Sequence, residues 1–501
     1  MEVFRSRINF VLEEPRKLGK EVGVLVFESK EDIKSTLAFR YLRKELQNFI
    51  LESLKKINLP EGEHIHVLDS PWGSLILLKL KEKLDHRSYY LKVRQIIKFA
   101  KDHRKESLAI YLDDFRVDDM DGEGKLEKFV INALMADFNF KEYYEKEKVH
   151  TLKEVYILVQ NANKYKAIIK NALIIGEETN RARFLSNLPG GDLTPDDMVD
   201  ICQKVAKESD LKIKVLNYKV LEKLGAGAIL GVGRGSKYKP YIVILEHRGD
   251  KKLPEVNLIG KGITFDTGGL YIKPPQSMSD MHLDMSGAAS LLSLTSALSK
   301  LNFKTNIVTL LSIAENMPSG ESYRPGDILR SISGKTIEIG SPDAEGRVVM
   351  ADAIDYSKKF YKPKLIITLA TLTGAACVAL GDKASAVFSP RKELLDLIEK
   401  AGENSGDYVW PLPLWREYEE EIKGKFAEVT NYPNKREGGA IHGAAFLRYF
   451  VKPIENFIHI DMAPRMTASE KEFLNPGSVG FGVRLLYEFF KNQEKLYEII
   501  K

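Results

Sequence analysis

The sequence predicts an α/β protein of two domains: a smaller N-terminal α/β domain and a larger C-terminal α/β domain with a central mixed sheet flanked by helices. Three observations carry this. A chain of 501 residues is too long for one ordinary hydrophobic core. Short apolar runs alternate with amphipathic helical stretches along most of its length. The runs Asn306–Ile313, Leu365–Leu369 and Phe457–Ile460 are rich in Ile, Leu, Val and Phe without alternation, as strands covered on both faces are. The expected divisions are 1–162 for the N-terminal domain, 163–186 for a connecting helix and 187–501 for the C-terminal domain.

In order, Val24–Phe27 reads as a strand. Glu31 to Ile57 reads as one long amphipathic helix, with Ile33, Leu37, Leu42, Leu46, Ile50 and Leu54 near helical spacing. His64–Leu68 and Leu75–Leu80 read as strands of a hairpin around Pro71-Trp72-Gly73. Tyr89–His103 and Lys125–Phe138 are helical, and Leu108–Leu112 and Val155–Val159 are strands. That alternation argues for a mostly parallel sheet. His64, His66, His86, His103 and His150 are scattered through this region and form no catalytic constellation.

Lys164–Leu185 carries an apolar face through Ile168, Ala172, Ile175, Thr179 and Ala182, and is read as the connecting helix. Thr194-Pro195-Asp196-Asp197 opens the next helix, with Thr194 as N-cap and Asp197 at the capping-box offset. Ile213–Val215 and Tyr241–Leu245 are strands. The glycine-rich Leu224–Gly235 has neither a GxGxxG register nor a P-loop lysine, so it reads as tight turns around a buried strand. Val256–Ile259 is a strand, and Ser286–Lys300 and Arg347–Phe360 are helices.

Composition excludes several function classes. The net charge of +5 is small for this length, and no long basic block is present, which argues against nucleic-acid binding. The two cysteines, Cys202 and Cys377, exclude a disulfide framework and suit a reducing cytoplasm. The first twenty residues lack the apolar core of a signal peptide. The longest mostly apolar run, Leu365–Leu380, is short for a membrane span and reads as a buried strand followed by a turn.

Two stretches concentrate chemistry. Ile259–Ser290 holds Lys261, Asp266, Lys273 and Asp284 among glycines and apolar residues. Ser341–Arg347 adds Asp343, Glu345 and Arg347. Hard divalent cations take carboxylate oxygens, and a two-metal site needs at least one bridging carboxylate. Four carboxylates at strand ends and glycine turns lie where open α/β sheets bind ligands. Asp343 and Glu345, two apart, would face the same side of an extended segment. Taken singly, each carboxylate also fits a helix cap or surface turn; the interleaved lysines and arginine favour a site. Lys261 can bind a metal only as a neutral amine, or else pairs with a carboxylate. Lys273 can stabilise an oxyanion, and Arg347 can hold an anion or a carboxylate base.

These residues resemble the leucyl aminopeptidases, di-metal exopeptidases with the approximate motifs GKGxxFDSGGxxxKP, MKxDMGGAA, NTDAEGR and ATLTGA. The corresponding stretches here are Gly260–Asp266 with Lys273-Pro274, Met281–Met285, Asp343–Arg347 and Ala370–Ala375, in the same order. With further likeness from Asn187 to His459–Asp461, the resemblance covers about 165–490. It implies that Asp266 and Glu345 bridge two metals. It implies that Asp343 completes one metal site and that Lys261 and Asp284 complete the other. Lys273 would polarise the scissile carbonyl, and Arg347 would hold a bicarbonate serving as general base. Leu372 would position the reacting group through its backbone, and Met281 would line the pocket for the first side chain. The implied cofactors are two divalent ions per subunit, Zn²⁺ or Mn²⁺ with Co²⁺ or Mg²⁺ as alternatives, and the implied assembly is a homo-hexamer. The expected activity is release of apolar N-terminal residues such as Leu from short peptides, in the cytoplasm and away from membranes. This sequence departs from the pattern at Thr267, His282, Ser286-Gly287 and Ser341-Pro342, which leaves metal preference and pocket width open. His282 lies near enough in sequence to Asp284 for a hydrogen bond, or else faces a pocket wall or solvent. A DNA-binding accessory protein and a two-metal phosphatase are the competing readings. The missing basic cluster counts against the first, and the missing phosphate-cradling loop counts against the second.

Overall fold

The computed structural model describes residues 8–56, 64–144, 152–435 and 437–501. Ile57 and His150 of the sequence reading lie outside these residues. The chain divides into two compact units, Met1–Glu177 with Ser469–Asn475, and Glu178–Ala468 with Pro476–Lys501. Both are α/β, with the smaller unit N-terminal.

The first unit is built on strands β1 (Asn9–Glu13), β2 (Val22–Phe27), β3 (His64–Ser70), β4 (Gly73–Lys79), β5 (Ser107–Tyr111) and β6 (Glu154–Leu158). They form one six-stranded sheet in the order β1-β6-β5-β2-β4-β3. All neighbours are parallel except the hairpin β3–β4. Strand β1 has no counterpart in the sequence reading: its apolar run is only three residues, Phe10–Leu12, and these are only half-buried. Leu25, Phe27, Leu75, Leu77 and Tyr111 from the sheet pack with Leu46, Ile50 and Leu54.

The long helix expected over 31–57 is broken into a 3-10 turn, Asp32–Ser35, and helices Leu37–Tyr41 and Lys44–Lys56. Thr36 and Leu42 are extended, with ψ of 146° and 153°. The cause is local capping that outcompetes helix continuation. Thr36 Oγ1 accepts the Phe39 N–H at 3.2 Å, and the Asp114 carboxylate accepts the N–H groups of Leu37 and Ala38 at 2.7 and 2.8 Å. Apolar spacing cannot register a cap supplied from a residue far along the chain.

The second unit contains β7 (Lys212–Leu216), β8 (Tyr241–Arg248), β9 (Glu255–Asp266), β10 (Asn306–Asn316), β11 (Ile328–Arg330), β12 (Thr336–Glu338), β13 (Leu365–Ala370), β14 (Ser385–Phe388), β15 (Val409–Pro411), β16 (Val429–Thr430) and β17 (Phe457–Asp461). Eight form a mixed sheet, β15-β14-β17-β13-β9-β10-β8-β7, and β11-β12-β16 form a small second sheet. Strand β9 is central, parallel to both β13 and β10. It runs on past Ile259 through Gly260, Lys261 and Gly262 and ends at Asp266. Lys261 pairs with Ser312 of β10 in this register. Helix Glu345–Phe360 shares a core with Ile259, Ile263, Val308 and Leu310 of the sheet.

The Thr194 capping box is present, with helix Pro195–Glu208 behind it. The glycine-rich segment, however, is helical: Tyr218–Leu224 and Gly227–Gly233 replace the expected buried strand. Glycine is needed there for close packing, since a Cβ on Gly227 would lie 2.6 Å from the Arg330 carbonyl oxygen. The buried Asp352 carboxylate accepts the Ile229 N–H at 2.8 Å and the Ile332 N–H at 2.8 Å, fixing this helix to the next segment. The Leu365–Leu380 run is likewise a strand and then a helix, Gly374–Leu380, capped by Thr373. Among the described residues no helix is long and apolar enough to cross a membrane.

Candidate active site

The carboxyl ends of β9, β10 and β13 bring the two chemical stretches together. Asp266 ends β9, Thr371 and Leu372 follow β13, and Asn316 ends β10. Asp284 arrives from the 3-10 turn Met281–Met285, not from a strand end. Asp343 lies in a turn and Glu345 is the first residue of helix Glu345–Phe360, so the extended arrangement is replaced by a turn entering a helix. Oxygens of Asp266, Asp343 and Glu345 nonetheless lie within 4.8 Å of one another.

Two lysines bind this cluster. Lys261 Nζ, 3% exposed, lies 2.7 Å from Asp284 Oδ1 and 2.8 Å from Glu345 Oε1, and donates to the Thr371 carbonyl at 3.0 Å. Lys273 Nζ lies 2.9 Å from Asp266 Oδ2 and 2.6 Å from Asp343 Oδ1. Gly346 admits the first lysine, because a Cβ there would lie 2.4 Å from Lys261 Cε. Asp266 Oδ1 accepts from Gly268 N–H and Asn316 Nδ2, each at 2.8 Å, and Thr371 Oγ1 donates to Asp284 Oδ1 at 2.7 Å.

Charge balance follows from burial. Burial pushes the Asp266 carboxyl up to about 6, with Glu345 adding to the rise and both lysines opposing it. Asp284 is raised by burial and by Glu345 against the pull of Lys261. Glu345 is shifted up by burial, but Lys261 and Lys273 outweigh this and hold it below its ordinary range. Burial lowers both lysines, and the carboxylates more than compensate, so both stay charged. Burial brings Arg347 down to about 10, countered in part by Glu345 and Asp461.

The residues fit divalent cation binding. Asp284 Oδ2, Glu345 Oε2 and Asn316 Oδ1 are buried without a hydrogen-bond partner among the described residues. Orphaned buried carboxylate oxygens are costly unless a cation completes them. The donor set of oxygens plus one amine suits hard or borderline divalent ions.

Around this cluster, Arg347 donates from Nη1 to the Asn431 carbonyl at 2.9 Å, and its Nε has no hydrogen-bond partner among the described residues. The Leu372 N–H is taken by Asp461 Oδ1 at 3.0 Å. Met281 is half-buried in the 3-10 turn. His282 makes no hydrogen bond to Asp284; burial lowers its pKa, and Asp280 and a backbone bond to Ser279 act the other way. The departure at Ser286 is accommodated by a bond from its Oγ to the Leu283 carbonyl at 2.6 Å.

Sequence reasoning missed Asn316, Thr371 and Asn431. Asn431 Oδ1 accepts from Gly340 N–H (2.8 Å) and Ser341 N–H (3.2 Å), and its Nδ2 donates to the carbonyls of Ser341 (2.7 Å) and Ala344 (3.1 Å). Asn316 had a usable signal: it is the polar terminus of an eleven-residue, fully buried strand. Asn431 had none, because it lies 84 residues from Arg347.

Residues 180–487 match the model described as cytosol aminopeptidase family, catalytic domain. The chain belongs to the cytosol aminopeptidase family. It is 40% identical over 355 residues to a probable cytosol aminopeptidase of Chlorobaculum tepidum, covering 70% of each chain. Its likeness to a probable cytosol aminopeptidase of Persephonella marina is 34% over 505 residues, 98% of this chain and 97% of the relative. The bottromycin maturation enzyme BotP superposes with a TM-score of 0.81 at 26% identity, covering 96% of this chain and all of that one. The same enzyme in complex with Mn gives 0.80 at 25%. Family membership places the chain among the aminopeptidase hydrolases, and the resemblance read from its motifs is borne out.

Proposed function

We propose that this chain is a two-metal aminopeptidase that releases apolar N-terminal residues, Leu among them, from short peptides. The observation that carries the reading is the convergence of Asp266, Asp343 and Glu345 within 4.8 Å, with buried carboxylate oxygens left unpartnered beside them. Asp266, Asp343 and Glu345, with Asp284 and Lys261 beside them, are the residues that would hold the cations. Lys261 must then give up a proton and its ion pairs. When bound, the cations supply Lewis-acid polarisation and a nucleophile at neutral pH.

The chain's own residues do the rest. Lys273, held as an ammonium between Asp266 and Asp343, donates to the scissile carbonyl oxygen and stabilises the negative charge that develops there. Arg347 has donor capacity at Nε for a small anion such as bicarbonate, which would take a proton from the attacking water. With its N–H committed to Asp461, Leu372 offers its carbonyl for orienting the substrate amine. Met281 borders the space for the first side chain. A free α-amine is recognised on the Lys261–Asp284 side; an internal peptide bond has none, which gives exopeptidase action.

Zn²⁺ and Mn²⁺ are the proposed ions, with Co²⁺ and Mg²⁺ as alternatives, and the Mn complex of BotP supports a divalent metal. A homo-hexamer in the cytoplasm is the proposed state, with peptides and no membrane or nucleic acid as partners; the two free cysteines are compatible with it. The test is hydrolysis of aminoacyl-coumarin amides by chelator-stripped protein with each metal restored, and N-acetyl-leucyl amide as control. Metal-restored cleavage of free-amine substrates alone is expected. Equal cleavage of the acetylated substrate, or cleavage without metal, would overturn the reading.

A further inference from the structure

The N-terminal unit holds a cavity of about 220 Å³ that the chemistry above does not use. It opens at the carboxyl ends of β2, β4 and β5, and Val26, Phe27, Glu28, Leu80, Asp113 and Asp114 stand on it from those strand ends. In the sheet order, β2 lies between β5 and β4. The chain leaves β2 toward β3 and β4 on one side, then crosses from β4 to β5 on the other. That reversal leaves a crevice at the strand ends, the place where open α/β sheets hold small ligands.

Its lining has three parts. Val26, Phe27 and Leu80 are buried and form an apolar floor. Glu28, Asp32, Asp113 and Asp114 contribute carboxylates, and Arg40 and Arg116 contribute guanidiniums. The two signs are not consumed by one another. Arg116 is largely exposed and pairs with Glu28 only at 3.8 Å, and Arg40 acts on Asp114 through its charge. Asp32 and Asp114 are oriented by backbone N–H groups, and Asp113 gives one oxygen to Gln160 N–H at 3.3 Å. Lys125, the nearby ammonium, is turned to the Phe115 carbonyl at 3.2 Å. Burial holds the Asp114 carboxyl up at about 6, with Asp113 adding to the rise and the two N–H bonds and the Arg40 charge opposing it.

We infer that this crevice binds a free α-amino acid with an apolar side chain, its ammonium facing Asp113 and Asp114, its carboxylate facing Arg40 and Arg116, and its side chain on Val26, Phe27 and Leu80. A pure cation would meet the guanidiniums, and a pure anion would meet the excess of carboxylates. A zwitterion answers both, and the apolar floor leaves room for little else that is polar. The inference does not depend on the reaction at the candidate active site.

The test is isothermal titration of the full chain with L-leucine, on wild type, on Glu345→Gln and on an Asp113→Asn, Arg116→Ala double variant. Both crevice positions lie on the accessible rim, and unchanged melting temperature and peptide hydrolysis serve as folding controls. Binding should persist in Glu345→Gln and weaken by about tenfold or more in the double variant, the loss expected for charge-assisted bonds. Leucinamide, lacking the carboxylate, and N-acetylleucine, lacking the amine, should each bind more weakly than leucine. An Arg40→Ala variant provides an independent loss at the carboxylate end. Absence of binding overturns the inference. So does leucine binding that disappears in Glu345→Gln and is untouched in the double variant, since that would place it all at the candidate active site. Tighter binding of spermidine or AMP than of leucine would also refute it, by making the crevice a site for a single sign of charge.

Discussion

Replacing Gly346 by alanine should harm this protein although it improves the helix on paper. Gly346 is the second residue of helix Glu345–Phe360. An exposed helical glycine changed to alanine gains about 1 kcal/mol. Here the new methyl would lie 2.4 Å from Cε, 2.7 Å from Cδ and 2.8 Å from Nζ of Lys261. The lysine cannot swing aside cheaply, because its ammonium is buried between Asp284, Glu345 and the Thr371 carbonyl. Overpacking of this kind costs about 1–3 kcal/mol. Breaking a buried ion pair outright costs about 3–5 kcal/mol, of which a displaced but still nearby ammonium forfeits a part. The net expectation is destabilisation of about 2–4 kcal/mol, opposite in sign to helix propensity. Shifting Lys261 by about 1 Å also disturbs Glu345, and a misplacement of that size costs about 10²-fold in rate. Urea unfolding gives the first number, and kcat/KM on a leucyl-coumarin amide with metal content by mass spectrometry gives the second. A variant with an unchanged or higher urea midpoint and wild-type kcat/KM would refute the packing argument.

Three further outcomes are expected. Lys273→Ala should lower kcat by about 10²–10³-fold with a smaller change in KM, as loss of one oxyanion donor does; an effect confined to KM would assign Lys273 to ground-state binding. Asp352→Asn should destabilise by about 1–3 kcal/mol, since an amide cannot accept both the Ile229 and Ile332 N–H groups with two oxygens; an unchanged unfolding midpoint would show that these bonds carry no net weight. His459 sets a pH dependence of stability. Burial, and secondarily Arg347, lowers its pKa from 6.5 to about 3, so the fold holds the neutral ring. A histidine lowered in the fold contributes stability that is complete above 6.5 and is lost as pH falls from 6.5 toward 3, at most about 5 kcal/mol. Stability measured from pH 7 to 4 should therefore fall less in His459→Phe than in wild type, and equal slopes would rule the residue out as a source of the acid sensitivity.

Much of the architecture was legible because its signals are local. Strands β10, β13 and β17 are apolar runs buried along their whole length, and such runs announce themselves. The Thr194 cap is written in four consecutive residues. The four carboxylates and two lysines were legible as a set, and the structure brings all of them into one cluster. What escaped was set by distant parts of the chain. The Leu37–Tyr41 helix starts where it does because Asp114 caps it from 77 residues away. The Gly227–Gly233 helix looked like turns because its small residues serve a close approach to another segment and leave no amphipathic period. Thr371, Asn316 and Asn431 are single polar residues whose partners come only with tertiary structure.

The Asn431 amide has a consequence for how this site keeps its shape. Its four bonds to the 340–344 turn all fall on main-chain atoms, so the turn is moulded by a template outside itself. The mould acts on the main chain of the Ser341-Pro342 pair, and Ser341 adds a side-chain hold of its own, its Oγ accepting the Asp343 N–H at 3.2 Å. The path of the turn that carries Asp343 toward Glu345 thus depends on one asparagine far along the chain.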